Sequence, residues 1–87
     1  MKIIDMAKFY FGQYETLEIN GDYATGLRGQ DKVYRSLEEF LADWEGWADM
    51  EVIQICFQTV YTGYSEEYRT SVPIGDCKIP HLYFMYK

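Results

Sequence analysis

Between Arg35 and Arg69 the chain has no lysine or arginine, yet eight of its fourteen acidic residues fall there. Residues 1–35 carry five acids and five bases, and residues 69–87 carry one acid and three bases. The net charge of −6 therefore belongs to the middle third. With a pI near 4.6, this lack of basic charge argues against direct binding of DNA, RNA or an anionic membrane, since those partners reward clustered Lys and Arg. The same balance favours solubility and a basic partner.

Histidine and cysteine are also scarce: His81 is the single histidine, and Cys56 and Cys77 are the two cysteines. Structural zinc takes four Cys or His ligands, one more than the chain can supply. The acids from Glu38 to Asp49 lack the alternating Asp/Asn spacing and internal glycine of a calcium loop. Gly26-Leu-Arg-Gly29 contains glycine but has neither the dinucleotide-binding nor the Walker pattern. No serine stands in a nucleophile-elbow context. That leaves Cys77 and His81 as a nucleophile and base, separated by three residues that include Ile79-Pro80, a spacing that arises readily by accident. The expectation is a protein with no enzymatic activity, no metal and no cofactor.

Long apolar runs are missing too. None approaches the roughly 20 residues of a membrane span, and Met1-Lys-Ile-Ile-Asp5 puts an acid where the apolar core of a signal peptide would begin. A soluble, cytoplasmic protein with reduced thiols is expected. At 87 residues the chain is one domain, residues 1–87, with a thin burial margin. Its 48% hydrophobic and 25% charged content is that of a folded chain and not a disordered one.

What the chain does have is aromatic side chains. Nine Tyr, five Phe and two Trp make up 18% of it, more than one small core can hide, so some rings are expected at the surface. Tyrosines covering a sheet face would account for part of this excess, because they pack well and keep a hydroxyl in water.

Taken in order, residues 2–11 carry two patterns. Ile3, Met6, Ala7 and Tyr10 follow helical spacing with Gly12 as a stop, whereas Phe9, Phe11, Leu17 and Ile19 share one strand parity. The strand reading is taken for 9–19, because Asn20-Gly21 follows as a hairpin signal. Tyr23 to Leu27 would be the return strand and Arg28 to Lys32 an exposed connection. Ser36 and Glu39 form a capping box opening a helix over 36–49, with Leu37, Phe40, Leu41, Trp44, Trp47 and Ala48 as its apolar stripe. Gly46 lies opposite that stripe and is a place where the helix could end.

Glu51 to Tyr61 is dense in β-branched and aromatic residues and reads as a central strand. Residues 62–68 read as a polar hairpin loop, Arg69 to Ile74 as an edge strand containing Pro73, Gly75-Asp76 as a turn and His81 to Tyr86 as the last strand. The expected fold is α+β, a mostly antiparallel sheet of four to five strands with one amphipathic helix on one face, in the order β-β-α-β-β-β.

Function is expected to reside in the acidic and aromatic surface. Glu38 and Glu39 have a local reason in capping and the helix dipole. Asp43, Glu45 and Asp49 have none, and Tyr64, Glu66, Glu67 and Tyr68 add a second acidic cluster in the 62–68 loop. Tyrosines give rigid contact area, and carboxylates attract Lys and Arg at long range. They can also offer a basic groove what phosphates offer it. The reading is a non-enzymatic inhibitor or adaptor on a basic, nucleic-acid-binding partner. Anti-restriction proteins, anti-CRISPR proteins of phage or mobile elements, and nuclease immunity proteins are built this way. A solvated outer face would also look acidic. The alternative is a homo-oligomeric structural or accessory subunit, a homodimer for instance, associating through sheet edges and exposed tyrosines.

Overall fold

Ile3, Met6 and Ala7 recur at the spacing that puts side chains on one helix face, and all three are buried. In the computed structural model, which describes residues 1–24 and 31–87, they form the inner face of α1 (Ile3–Phe11). The elements that follow are β1 (Leu17–Tyr23), β2 (Lys32–Tyr34), α2 (Leu37–Asp43), β3 (Val52–Ser65) and β4 (Thr70–Tyr86). The protein is α+β, with two short helices and a four-stranded mixed sheet in the order β2-β1-β4-β3. β1 pairs antiparallel with β2 and parallel with β4, and β3 pairs antiparallel with β4. Among the described residues no helix is long and apolar enough to cross a membrane.

The core lies between the helices and one face of the sheet. Leu17 and Ile19 of β1, Leu82 and Phe84 of β4, Tyr34 of β2 and Phe40 of α2 join the α1 residues there, all buried. Phe40 meets the Tyr34 ring edge-on at 5.3 Å and stacks on Trp44 at 5.7 Å. The ring of Phe57 in β3 lies under α1, 4.6 Å from Tyr10, and 5.0 Å from Tyr14.

Several expectations are corrected. Residues 3–11 are helical and not part of a strand: period-2 parity across Phe9 to Ile19 spans two elements, and the helical spacing is the one that buries side chains. Asn20-Gly21 makes no hairpin, because both residues lie inside β1, opposite Tyr83 and Phe84 of β4. Gly21 is there for space. A Cβ on it would stand 2.4 Å from Phe84 Cζ and 2.5 Å from Trp44 Cη2, so the missing side chain lets two rings close over the strand. Tyr23 ends β1 and Ala24, expected in the return strand, is a turn residue; residues 25–27 of that strand and 28–30 of the expected connection lie outside the described residues, and Lys32, expected in the connection, begins β2.

The second helix is shorter than its stripe implied. Ser36 Oγ accepts the Glu39 amide at 3.1 Å, but Glu39 Oε2 reaches the amide of Arg35, at 3.2 Å, and not that of Ser36. The helix ends at Asp43, with Trp44 as its C-cap, and Gly46 adopts φ +91° in the turn that follows, a conformation costly for any other residue. Glu45 and Asp49 therefore leave the helix face.

The strand over 52–61 is at the sheet edge and not its centre; β4, at the end of the chain, takes the centre. Gly75-Asp76 does not turn the chain, since Tyr61 pairs with Gly75 and Val60 with Asp76 inside one long ribbon. Two helices stand where one was expected, and the sheet, antiparallel in its β1–β2 and β3–β4 pairs, is made mixed by the parallel β1–β4 pair. Gly21→Ala is expected to destabilise the fold by about 1 to 3 kcal/mol through overpacking. Gly75→Ala, whose added Cβ would meet no atom within 4 Å, should stay within about 0.5 kcal/mol. Urea denaturation of both variants checks this.

Candidate partner-binding surface

β3 and β4 are 14 and 17 residues long, but β1 meets β4 only from His81 to Tyr86. Beyond Gln58 and His81 the two strands pair only with each other among the described residues, from Val60↔Asp76 to Ser65↔Thr70. At about 3.3 Å per residue the paired ribbon, from Gln58 to Ser65 on its shorter strand, reaches about 23 Å beyond the core, and the molecule measures 47 × 30 × 20 Å. Its radius of gyration, 14.3 Å, exceeds the roughly 12 Å of a compact chain of this length.

This arm carries apolar side chains that no described residue covers. Tyr64, Tyr68 and Ile74 are each about two-thirds exposed, and Tyr61 is half exposed. Its tip is the turn over residues 66–69, where Ser65 Oγ accepts the Tyr68 amide at 3.3 Å and Arg69 takes φ +53°. Glu66 and Glu67 are exposed there. The structure thus brings Tyr64, Glu66, Glu67 and Tyr68 together at one end of the protein.

The other expected site residues are elsewhere. Glu38 and Glu39 are exposed on the first turn of α2, which packs on α1 and β2. Glu45 is exposed in the turn after the helix. Asp43 and Asp49, which had no partner nearby in sequence, have partners in space. Lys32 hydrogen-bonds Asp43, and Lys2 Nζ lies 3.6 Å from Asp49 Oδ1. Folding therefore brings bases from residues 1–35 onto two of the three acids that sequence alone left without a local role.

Sequence reading missed an aromatic cleft beside Asp43. Lys32, Tyr34, Asp43, Trp44, Trp47 and Tyr86 line a space of about 360 Å³. Trp47, expected in the apolar stripe, is 47% exposed at its rim. Lys32 Nζ sits 5.2 Å from the centre of the Tyr34 ring, so an internal cation already occupies the wall. The strand that carries Lys32 and Tyr34 was not read from the sequence, which placed Lys32 in an exposed connection; Gly46 was marked as a place where the helix could end, and the earlier end at Asp43 frees Trp47 from the stripe.

On the other face of the sheet, His81 lies between Glu18 Oε2 and Asp31 Oδ1, 4.0 Å from each. Asp22 accepts the Tyr83 hydroxyl at 2.9 Å. No hydrogen bond joins Cys77 to His81 among the described residues, and no three His, Cys, Asp or Glu side chains there group closely enough to hold a metal ion. The chain matches no protein-family model, no curated protein and no solved structure.

The Lys32–Asp43 pair has a pH signature. The Lys32 hydrogen bond holds the Asp43 carboxyl below its ordinary value of 3.8, and the same bond holds the Lys32 ammonium above 10.5. A depressed carboxyl contributes stability above its unfolded value and loses it as pH falls through the folded value. The advantage of the wild type over Asp43→Asn should therefore be present at neutral pH and shrink as the pH falls below 3.8. It should also be small and weakened by salt, because both groups are about half exposed and solvent screens them. Urea midpoints across pH, at low and high salt, test the sign.

Proposed function

We propose that this chain is a non-enzymatic inhibitor or adaptor of the cytoplasm that docks on a basic protein, one that itself binds nucleic acid, and that the β3–β4 arm makes the contact. The observation that carries this reading is the arm itself: a two-stranded ribbon projecting from the core with exposed tyrosines and an acidic tip. A lone hairpin is marginal in water, and exposed aromatic side chains in a group mark contact surfaces. Tyr64 and Tyr68 supply rigid area, while Glu66 and Glu67 beside them supply attraction to Lys and Arg.

The acids of α2 contribute long-range steering in this reading. Glu38 and Glu45 act through the net negative field, and Asp43 contributes less than its charge because Lys32 holds it. A phosphate-like display would then centre on the arm tip, with the helix as a secondary source of field.

The experiment takes the protein as bait, recovers a basic protein retained at low salt, and measures that protein's affinity for two sets of variants. Added salt should weaken binding steeply. Changing Tyr64 and Tyr68 to Ser and Glu66 and Glu67 to Gln together should weaken it by roughly tenfold or more. Changing Glu38, Glu39 and Glu45 to Gln and Asp43 to Asn should cost less. Affinity unchanged by both sets would overturn the proposal.

A further inference from the structure

The outer edge of β3 differs from the rest of this acidic protein. Its 14 residues, Val52–Ser65, include no acid, no base and no proline. Edge strands are ordinarily blunted by charge, by proline or by bulges, because a row of unpaired backbone donors and acceptors templates another strand. Among the described residues Met1 covers only the start of this edge, its carbonyl accepting the Val52 amide at 2.8 Å. Register shifts interrupt the ladder between Val52 and Gln54 and again between Gln58 and Val60. Between these shifts lies one regular segment, Gln54 to Gln58, paired without a break to Met85 through His81.

That segment has the same polar and apolar pattern in both directions: Gln54-Ile55-Cys56-Phe57-Gln58, with a polar amide at each end, an apolar residue inside each and Cys56 at the centre. In an antiparallel pair of identical strands related by a two-fold axis, residues equally spaced about the axis stand opposite each other. With Cys56 on the axis, Gln54 of one copy faces Gln58 of the other, Ile55 faces Phe57, and Cys56 faces Cys56. Every cross-strand pair is then like with like, amide with amide and apolar with apolar, which is how such pairs stabilise a sheet. Moving the axis by one residue, onto Phe57, sets Gln54 opposite Val60 and Cys56 opposite Gln58.

We infer that a second copy of this chain pairs with β3, antiparallel and with Cys56 on the two-fold axis, making one continuous eight-stranded sheet. The neutral edge explains how two molecules of net charge −6 meet there, since the carboxylates lie elsewhere on each copy. Cys56 is exposed and its thiol is free. Opposed residues in an antiparallel pair have Cα atoms about 4.5 to 5.5 Å apart, within reach of a short thiol-to-thiol linker. This dimer is independent of the basic partner proposed above and needs no other protein.

Sedimentation or light scattering of the purified chain should give twice the 10.3 kDa of the monomer. Added salt should tighten the dimer, since it screens the repulsion between copies; the arm contact proposed above responds in the opposite direction. In a Cys77→Ser background, a short bifunctional maleimide should link Cys56 to Cys56. Cys56→Lys places two ammonium groups on the axis and should give a monomer, as Cys56→Glu should with two carboxylates, while mixing the two should restore a dimer. Circular dichroism confirms that each variant remains folded, and an unfolded pair is replaced by Cys56→Arg and Cys56→Asp. A monomeric wild type at every reachable concentration would overturn the inference. So would a dimer unaffected by Cys56→Lys, or separate monomers in the mixture.

Discussion

The packing of Trp44 and Phe84 over Gly21 is the contact on which most of this fold depends. Phe84 lies in the central strand, Trp44 caps α2, and Gly21 lies in the strand that runs parallel to β4. All three meet because position 21 has no Cβ. Closing that gap sets how near α2 lies to the sheet, and hence where the aromatic row Tyr34, Phe40, Trp44 and Tyr86 runs. It also explains an Asn-Gly pair that forms no turn. The ring volume that glycine admits is worth more to the core than the tight hairpin the dipeptide could otherwise make.

Charge is distributed on a different principle. The middle third is acidic in sequence, but two of its carboxylates lie next to lysines brought from the first third. The fold therefore separates acids held near a base, at Asp43 and Asp49, from acids left to solvent, at Glu38, Glu45 and the arm tip. A salt bridge between half-exposed groups adds little to stability. Its larger effect is to redraw the surface potential, so that the negative field weakens near Lys32 and Lys2 and persists at the arm tip.

Much of the architecture was legible, and the misreadings have physical causes. The α2 cap at Ser36 was visible because a capping box is local, and the final strand's two faces were visible because alternation is local. The 2–11 segment fitted two periods, and only the burial of Ile3, Met6 and Ala7 against a distant strand decides between them. The place of β3 could not be read from its own residues: an apolar strand looks central until its neighbours are known. Glu66 and Glu67 were recognisable as a cluster, but that they end an arm and not a short loop depends on the register of Tyr61 with Gly75. The aromatic cleft depends on where α2 stops, which is decided by Gly46 and the turn after it and not by the stripe.

The arm and the core differ in what holds them. In the core, β1 and β4 have neighbours on both edges and carry buried side chains, whereas the ribbon beyond His81 is held, among the described residues, by its own ladder. Free energies of local opening vary across a structure in this way, lowest where buried apolar contacts are few. The protein consequently has two stabilities, one for the domain and a smaller one for the ribbon. Anything that grips the ribbon also shifts its local folding, so part of the binding energy is spent holding the strands together. Affinity at the tip thereby becomes sensitive to ladder residues that touch no partner at all.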